Sequence, residues 1–336
     1  MLIAAEITIA FVPIILFLIF LWMIDSFKLV RKWLIIAAIG TGIAVAILAI
    51  YVNVFLLSWL DLSPASFSQF VAPVSEELLK ILLIGYLISA RKVGFMVDAA
   101  IFGFAVGAGF AIMENLYYMN SLTEAGLLTW FVRGFGTAIM HGGTTAIAAV
   151  ISKSIFDRKK WPVFFAILPG LLAAIMLHSL FNLFIFPPIT SALIILLVLP
   201  PLFIMIFKHS EQSTRNWLGT GLDSDMEILQ ILMTGNISQS KLGDYLNKIQ
   251  EKFSPEVTGD IICYLRIYLE LSIKAKGILI LKENGFSPKP DPEIDEQLTE
   301  LNYLDKQIGK TGKLAIQPLL KLDNSDLWQL TMMRNM

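Results

Sequence analysis

Eight residues of types that do chemistry stand where the chain is otherwise apolar. Glu76, Glu77 and Lys80 fall midway along one hydrophobic segment, Glu114 and Asn115 toward one end of the next, His141 near the middle of a third, and His178 and Asn182 in one half of a fourth. A charge at the centre of a membrane helix costs about 2.5–3.5 kcal/mol, so three glutamates and a lysine left charged and unpaired would cost on the order of 10 kcal/mol. Such side chains are expected to face the interior of a bundle, pair with one another and serve a function. Two histidines and several carboxylates around one polar cavity suit hydrolysis of a stable amide. That reaction needs an activated water, a base for its proton and stabilisation of the oxyanion. A zinc ion with three protein ligands and one open position supplies the water and polarises the carbonyl. His141, His178 and a glutamate such as Glu114 would ligate it, and either Glu76 or Glu77 would be the base. Asn182, one turn from His178, would donate to the oxyanion or orient the histidine. The spacings place partners on common helix faces: Phe110 with Glu114, His141 with Thr145, His178 with Asn182, and Glu76 with its charge partner Lys80 are all i,i+4.

The elements that carry these residues are membrane spans. The chain has 336 residues, of which 56% are hydrophobic and 16% charged; soluble domains carry about a quarter charged residues. The net charge of −1 averages two unlike regions: residues 1–209 hold nine acids and twelve bases, residues 210–336 eighteen and fourteen. We therefore expect an all-α protein, with a polytopic transmembrane helix bundle over 1–209 and a helical cytosolic region over 210–336. A bilayer core of about 30 Å needs roughly 20 apolar residues per helix. Seven segments satisfy this, at about 7–24, 33–57, 64–90, 96–119, 128–152, 161–186 and 190–207. The first is read as a retained span, since it lacks a basic leader and a small-residue cleavage site. The single cysteine, Cys263, allows no disulfide within one chain and suits a cytosolic location for the tail.

Orientation follows from the basic residues. Lys28, Arg31 and Lys32, then Arg91 and Lys92, then Lys153, Arg158, Lys159 and Lys160, and finally Lys208 and Arg215 occupy alternate connections. This pattern puts the N-terminus outside and the C-terminal region in the cytosol of a multi-pass plasma-membrane protein. It also brings Glu76, Glu77, His141 and His178 to similar depth, in the outer half of the bilayer, with Glu114 shallower. Arg133 reads as an interfacial anchor. Gly103, Gly107 and Gly109 mark the fourth segment as central, because small residues let helices approach closely in lipid. Pro73 is expected to bend the third. In the tail, Met226–Met233 and Lys241–Phe253 show helical periodicity, and 287–292 (SPKPDP) reads as a break. No nucleotide or other cofactor-binding motif is present, and no nucleic-acid partner is expected.

At these residues the sequence resembles the PrsW-like intramembrane proteases, within a superfamily shared with CAAX prenyl endopeptidases and bacteriocin-processing proteases. Glu76-Glu77-Leu78-Leu79-Lys80 matches the paired glutamates followed by a basic residue. Phe110-Ala111-Ile112-Met113-Glu114 looks like the second motif in the form that carries glutamate. His141 matches the next histidine, and His178-Ser179-Leu180-Phe181-Asn182 the histidine with asparagine one turn later. The resemblance covers about residues 60–190. It implies a membrane endopeptidase that cleaves membrane-anchored proteins, of the anti-sigma-factor type in the best-known member. Two other functions remain open: a transporter or proton relay, which also uses intramembrane acids and histidines, and a non-catalytic scaffold of the same fold. Against the transporter stand the absence of an internal repeat and the gathering of the polar residues into one cluster.

Overall fold

The structure is a computed structural model that describes residues 2–121, 125–234, 241–286, 288–289, 291–320 and 324–334. Among these residues all regular structure is helical. Two compact units divide the chain, residues 1–211 and 212–336.

The first unit is built from α1 (Leu2–Ile24), α2 (Lys32–Leu60), α3 (Ala72–Ser89), α4 (Met96–Ser121), α5 (Ile139–Lys159), α6 (Val163–Asn182) and the apolar first half of α7 (Pro188–Thr234). Among the described residues, six helices are long and apolar enough to cross a membrane. They are α1, α2, α4, α6, α7 and the run Leu127–Lys159, which contains α5. The remaining expected span, 64–90, contains α3, whose 18 residues include Glu76, Glu77 and Lys80. The chain is thus a multi-pass membrane protein. α7 continues well past the expected end at 207, because nothing after Phe207 stops it: no proline follows before Thr234.

α4 is the central helix, and its residues Val97–Ala111 are buried without interruption. It packs against α2 on one side and α5 on the other, and α5 in turn packs against α6. Two glycines make this possible. A Cβ on Gly107 would lie 2.2 Å from the carbonyl oxygen of His141, and one on Gly109 would lie 2.0 Å from that of Ile39. The α4 backbone therefore touches α5 at a site residue's own peptide group. Close backbone approach through small residues substitutes in lipid for the missing hydrophobic drive.

Two π-helical turns lead into site helices. Phe67–Val71 precedes α3, and Val132–Ala138 precedes α5. The first of these turns ends two residues before Pro73, the expected bend. Pro73 itself sits in the opening turn of α3, where its missing N–H costs little. At the other end of α4, the buried Asp98 carboxylate accepts the backbone N–H of Gly94 (2.9 Å) and of Phe95 (3.0 Å). This satisfies donors that the helix start would otherwise leave unpaired.

The second unit contains α8 (Lys241–Gln250), α9 (Pro255–Glu283), α10 (Pro292–Leu320) and α11 (Asn324–Arg334). Leu265, Leu269, Leu271, Leu298 and Ile308 contribute to its apolar core. Within it, Lys276 is buried and donates to Asp225 (2.5 Å) and Ser272 (2.8 Å). α10 is kinked at Gly309, whose φ of 61° suits glycine. Of the break expected over 287–292, Ser287 and Pro290 lie outside the described residues; Pro292 opens α10.

Filling the seam at Gly107 should be costly. Gly107→Ala is expected to lower stability by about 1–3 kcal/mol or more, read as a lower unfolding temperature in detergent. Gly219→Ala, where a Cβ meets nothing within 4 Å, should leave it unchanged or slightly raised. Equal melting curves for the two variants would show that the seam is not close-packed.

Candidate active site

Glu77 lies at the centre of the cluster. It is 1% exposed and comes from α3. Its Oε1 accepts from Lys80 Nζ at 2.9 Å and from the ring of His178 at Nδ1, 3.0 Å away. The Thr144 and Thr145 hydroxyls of α5 approach its two oxygens at 3.5 and 3.4 Å. The sequence pairs Lys80 with Glu76 at i,i+4, but the shorter contact is the i,i+3 one to Glu77; Glu76 Oε2 is 3.9 Å from Nζ. Lys80 is fully buried and also sits 3.9 Å over the ring of Phe110.

The hydrogen bonds assign the histidine tautomers. A carboxylate only accepts, so His178 Nδ1 carries the proton that Glu77 receives, and its Nε2 keeps a lone pair. His141 Nδ1 lies 2.8 Å from Lys80 Nζ, a donor, so Nδ1 accepts. Its Nε2–H then donates to Glu114 Oε2 at 3.1 Å. The two rings meet edge to face, with centroids 4.7 Å apart.

Glu114, expected to be shallower than the rest, reaches the cluster through this bond and through Arg133 Nη2 at 3.1 Å. Arg133 is no interfacial anchor. Only 13% of its side chain is exposed; it also donates to Asn115 Oδ1 at 3.0 Å and lies 3.8 Å from the ring centroid of Tyr118. Asn115 in turn donates to the Ala10 carbonyl of α1 at 2.9 Å. Asn182 ends α6 and donates to the Ser68 carbonyl, in the first π-turn, at 2.8 Å. One of its two amide hydrogens therefore goes to backbone.

A cavity of about 430 Å³ opens beside these groups. Glu76, Glu114, His141, His178, Asn182 and Arg133 line it, and α2 contributes Ala46, Ala49, Ile50, Asn53, Val54 and Leu57. Glu77 is not among the lining residues, so the two members of the glutamate pair differ: one faces the cavity and one is enclosed behind it. Glu76, His141 and His178 each offer a ligand atom within 4.8 Å of the other two. Glu76 Oε2 is buried without a hydrogen-bond partner and lies 4.0 Å from His178 Nε2, the free nitrogen. Two histidines and one carboxylate form a catalytic metal set that leaves a fourth position open. Glu76 Oε2 and His178 Nε2 are thus free to hold a divalent ion, and His141 Nδ1 would join them by giving up its Lys80 donor. The carboxylate grouped with the histidines is Glu76; Glu114 also lines the cavity, bonded to His141 Nε2.

Two polar residues beside Glu76 escaped the sequence reading. Asn53 of α2 donates to Glu76 Oε1 at 3.1 Å, and Ser75 donates to Asn53 Oδ1 at 2.5 Å. Asn53 was visible as a lone amide in a span of mean hydropathy 2.5. Nothing local in the sequence connects it to a glutamate on another helix.

The model of the PrsW family of intramembrane metalloproteases matches residues 30–206. No curated protein and no solved structure gives a significant match. The matched region spans α2 to α7 and includes every cavity residue named above, so the chain belongs to the PrsW family of intramembrane metalloproteases, hydrolases that act on membrane-protein substrates in the bilayer.

Proposed function

We propose that this chain cleaves single-span, membrane-anchored proteins at the cavity beside α2, with Glu76, His178 and His141, whose Nδ1 exchanges its Lys80 donor for the ion, as ligands of zinc. The observation that carries this reading is the pair of free, buried ligand atoms, Glu76 Oε2 and His178 Nε2, facing each other at 4.0 Å on the cavity wall. When bound, the ion would polarise the scissile carbonyl and make a water acidic enough to attack at neutral pH. The chain's own residues do the rest. Glu77 holds the Nδ1–H of His178 and so keeps Nε2 turned toward the cavity. Glu114 lines the cavity outside the ligand group; it orients His141 and accepts the proton of the attacking water. Arg133 holds Glu114 in place. Asn182 fastens the end of α6 to the π-turn before α3, which keeps His178 in register with Glu77.

A second reading has Glu76 activating water directly, without a metal. Its free Oε2 on the cavity wall supports this, as does the Lys80 ammonium already seated between the carboxylates and His141. The basic loops further support an N-terminus outside the cell membrane and a cytosolic region over 210–336. The family resemblance supports an anti-sigma-factor-like substrate.

The test is cleavage of a panel of single-span membrane proteins, tagged at both ends and reconstituted with the purified protein in liposomes. Glu76→Gln and His178→Ala are expected to lose cleavage by at least about 100-fold together with zinc binding. Glu114→Gln should lose cleavage but keep zinc. Chelator should stop the wild type and added zinc restore it; chelator-resistant cleavage selects the second reading. Full activity of Glu76→Gln would sink both.

The buried pair has its own stability signature. Removing one partner strands a charge in the interior, which costs about 3–5 kcal/mol. Lys80→Met should therefore melt well below wild type, and Glu77→Gln/Lys80→Met should melt above Lys80→Met alone. A double variant no more stable than the single one would argue that the two groups are not coupled.

A further inference from the structure

Glu76 has two oxygens with different surroundings. Oε1 accepts from Asn53 at 3.1 Å; Oε2 has no hydrogen-bond partner and stands 3.9 Å from Lys80 and 4.0 Å from His178. Asn53 comes from α2, a helix that supplies none of the paired glutamates, the histidines or Glu114. Its amide has only one workable orientation. A carboxylate cannot donate, so the NH₂ side must face Glu76, and Oδ1 must face Ser75. The Ser75 hydroxyl completes the arrangement by donating to Oδ1 at 2.5 Å; it also lies 3.0 Å from the Ala72 carbonyl. Ser75 precedes Glu76 in sequence and is buried. α3 thus carries the glutamate together with the hydroxyl that fixes the amide holding it.

We propose that Asn53, locked by Ser75, is a positioning residue: it engages Glu76 Oε1 and so commits Oε2 to the ion. The inference rests on the metal-site reading above. Without the amide, Glu76 is free to swing, and the ammonium of Lys80 is the nearest charge to draw it. Hydrogen-bonded partners behind a ligand are commonly worth 10–100-fold in metal affinity or activity. The lipid-side helix α2 is therefore part of the catalytic constellation, through a residue outside the family's charged and histidine motifs.

The experiment uses the full-length protein in detergent and in liposomes, with zinc alone as the binding probe. Cleavage is measured on whichever panel protein the wild type cuts. Asn53→Ala is expected to weaken zinc binding about 10–100-fold and to lower kcat by a similar factor with little change in KM. Ser75→Ala should give a smaller loss of the same kind. Ser75→Thr, which keeps the hydroxyl, should restore wild-type values. The double variant Asn53→Ala/Ser75→Ala should be no worse than Asn53→Ala, because Ser75 acts only through the amide. A residue that merely satisfies its own polarity in the membrane would shift the melting temperature and leave zinc affinity and kcat alone; that result overturns the proposal. If Asn53→Ala does not fold, the Ser75→Ala and Ser75→Thr pair decides by the same readouts. Where wild-type cleavage resists chelator, the metal-site reading fails and this proposal with it. Glu76→Gln is the control: if it still binds zinc and cleaves, the reading of Glu76 fails and this proposal with it. If Glu76→Gln loses both functions while Asn53→Ala and Ser75→Ala keep them, only the role of Asn53 fails.

Discussion

The enclosed carboxylate of Glu77 is the constraint on which the rest of the site depends. An ionised group with 1% exposure is sustained in lipid only by partners that donate to it. Lys80 supplies one such partner from the same helix, His178 a second from α6, and the threonines of α5 approach from a third direction. Satisfying one buried charge therefore fixes the relative placement of three helices. It also sets the His178 tautomer, since Nδ1 is committed and Nε2 is left for chemistry. Specificity of arrangement and readiness for function come from the same set of bonds.

The neighbouring glutamate is treated in the opposite way. Glu76 is left with an oxygen that nothing satisfies, on the wall of a cavity. Buried polar atoms are nearly always paired, so one left unpaired on a cavity wall calls for an explanation, and a bound ion or water supplies one. Two adjacent residues of identical type are thus placed differently, one enclosed among donors and the other presented to the cavity. A helix makes this division natural, because successive side chains point about 100° apart.

Much of this was legible in the sequence. Paired glutamates, a glutamate and two histidines inside apolar runs announced a membrane site, because their insertion cost demands a purpose. The loop charges and segment lengths predicted helical spans, and the glycines of α4 its central place. What the sequence hid was angular and long-range. It could not tell which glutamate faces the cavity, since both lie on the same buried helix. It put Glu114 near the surface by counting residues, whereas Arg133 and His141 draw it into the cluster. It assigned Arg133 to the interface, because the π-turn that carries this residue inward leaves no local mark. Asn53 was hidden for a similar reason, as its partner lies 23 positions away on another helix.

The Arg133–Glu114 pair has an electrostatic consequence for the site as a whole. Three carboxylates, Glu76, Glu77 and Glu114, face two cationic side chains, Lys80 and Arg133. With neutral imidazoles the assembly carries one unbalanced formal negative charge. In water that surplus would be screened within about 10 Å; in a membrane interior it is screened far less. The bundle is thus built one positive charge short. That deficit gives a cation a reason to enter, and a divalent ion would invert the sign, leaving the cavity electropositive where an oxyanion would form.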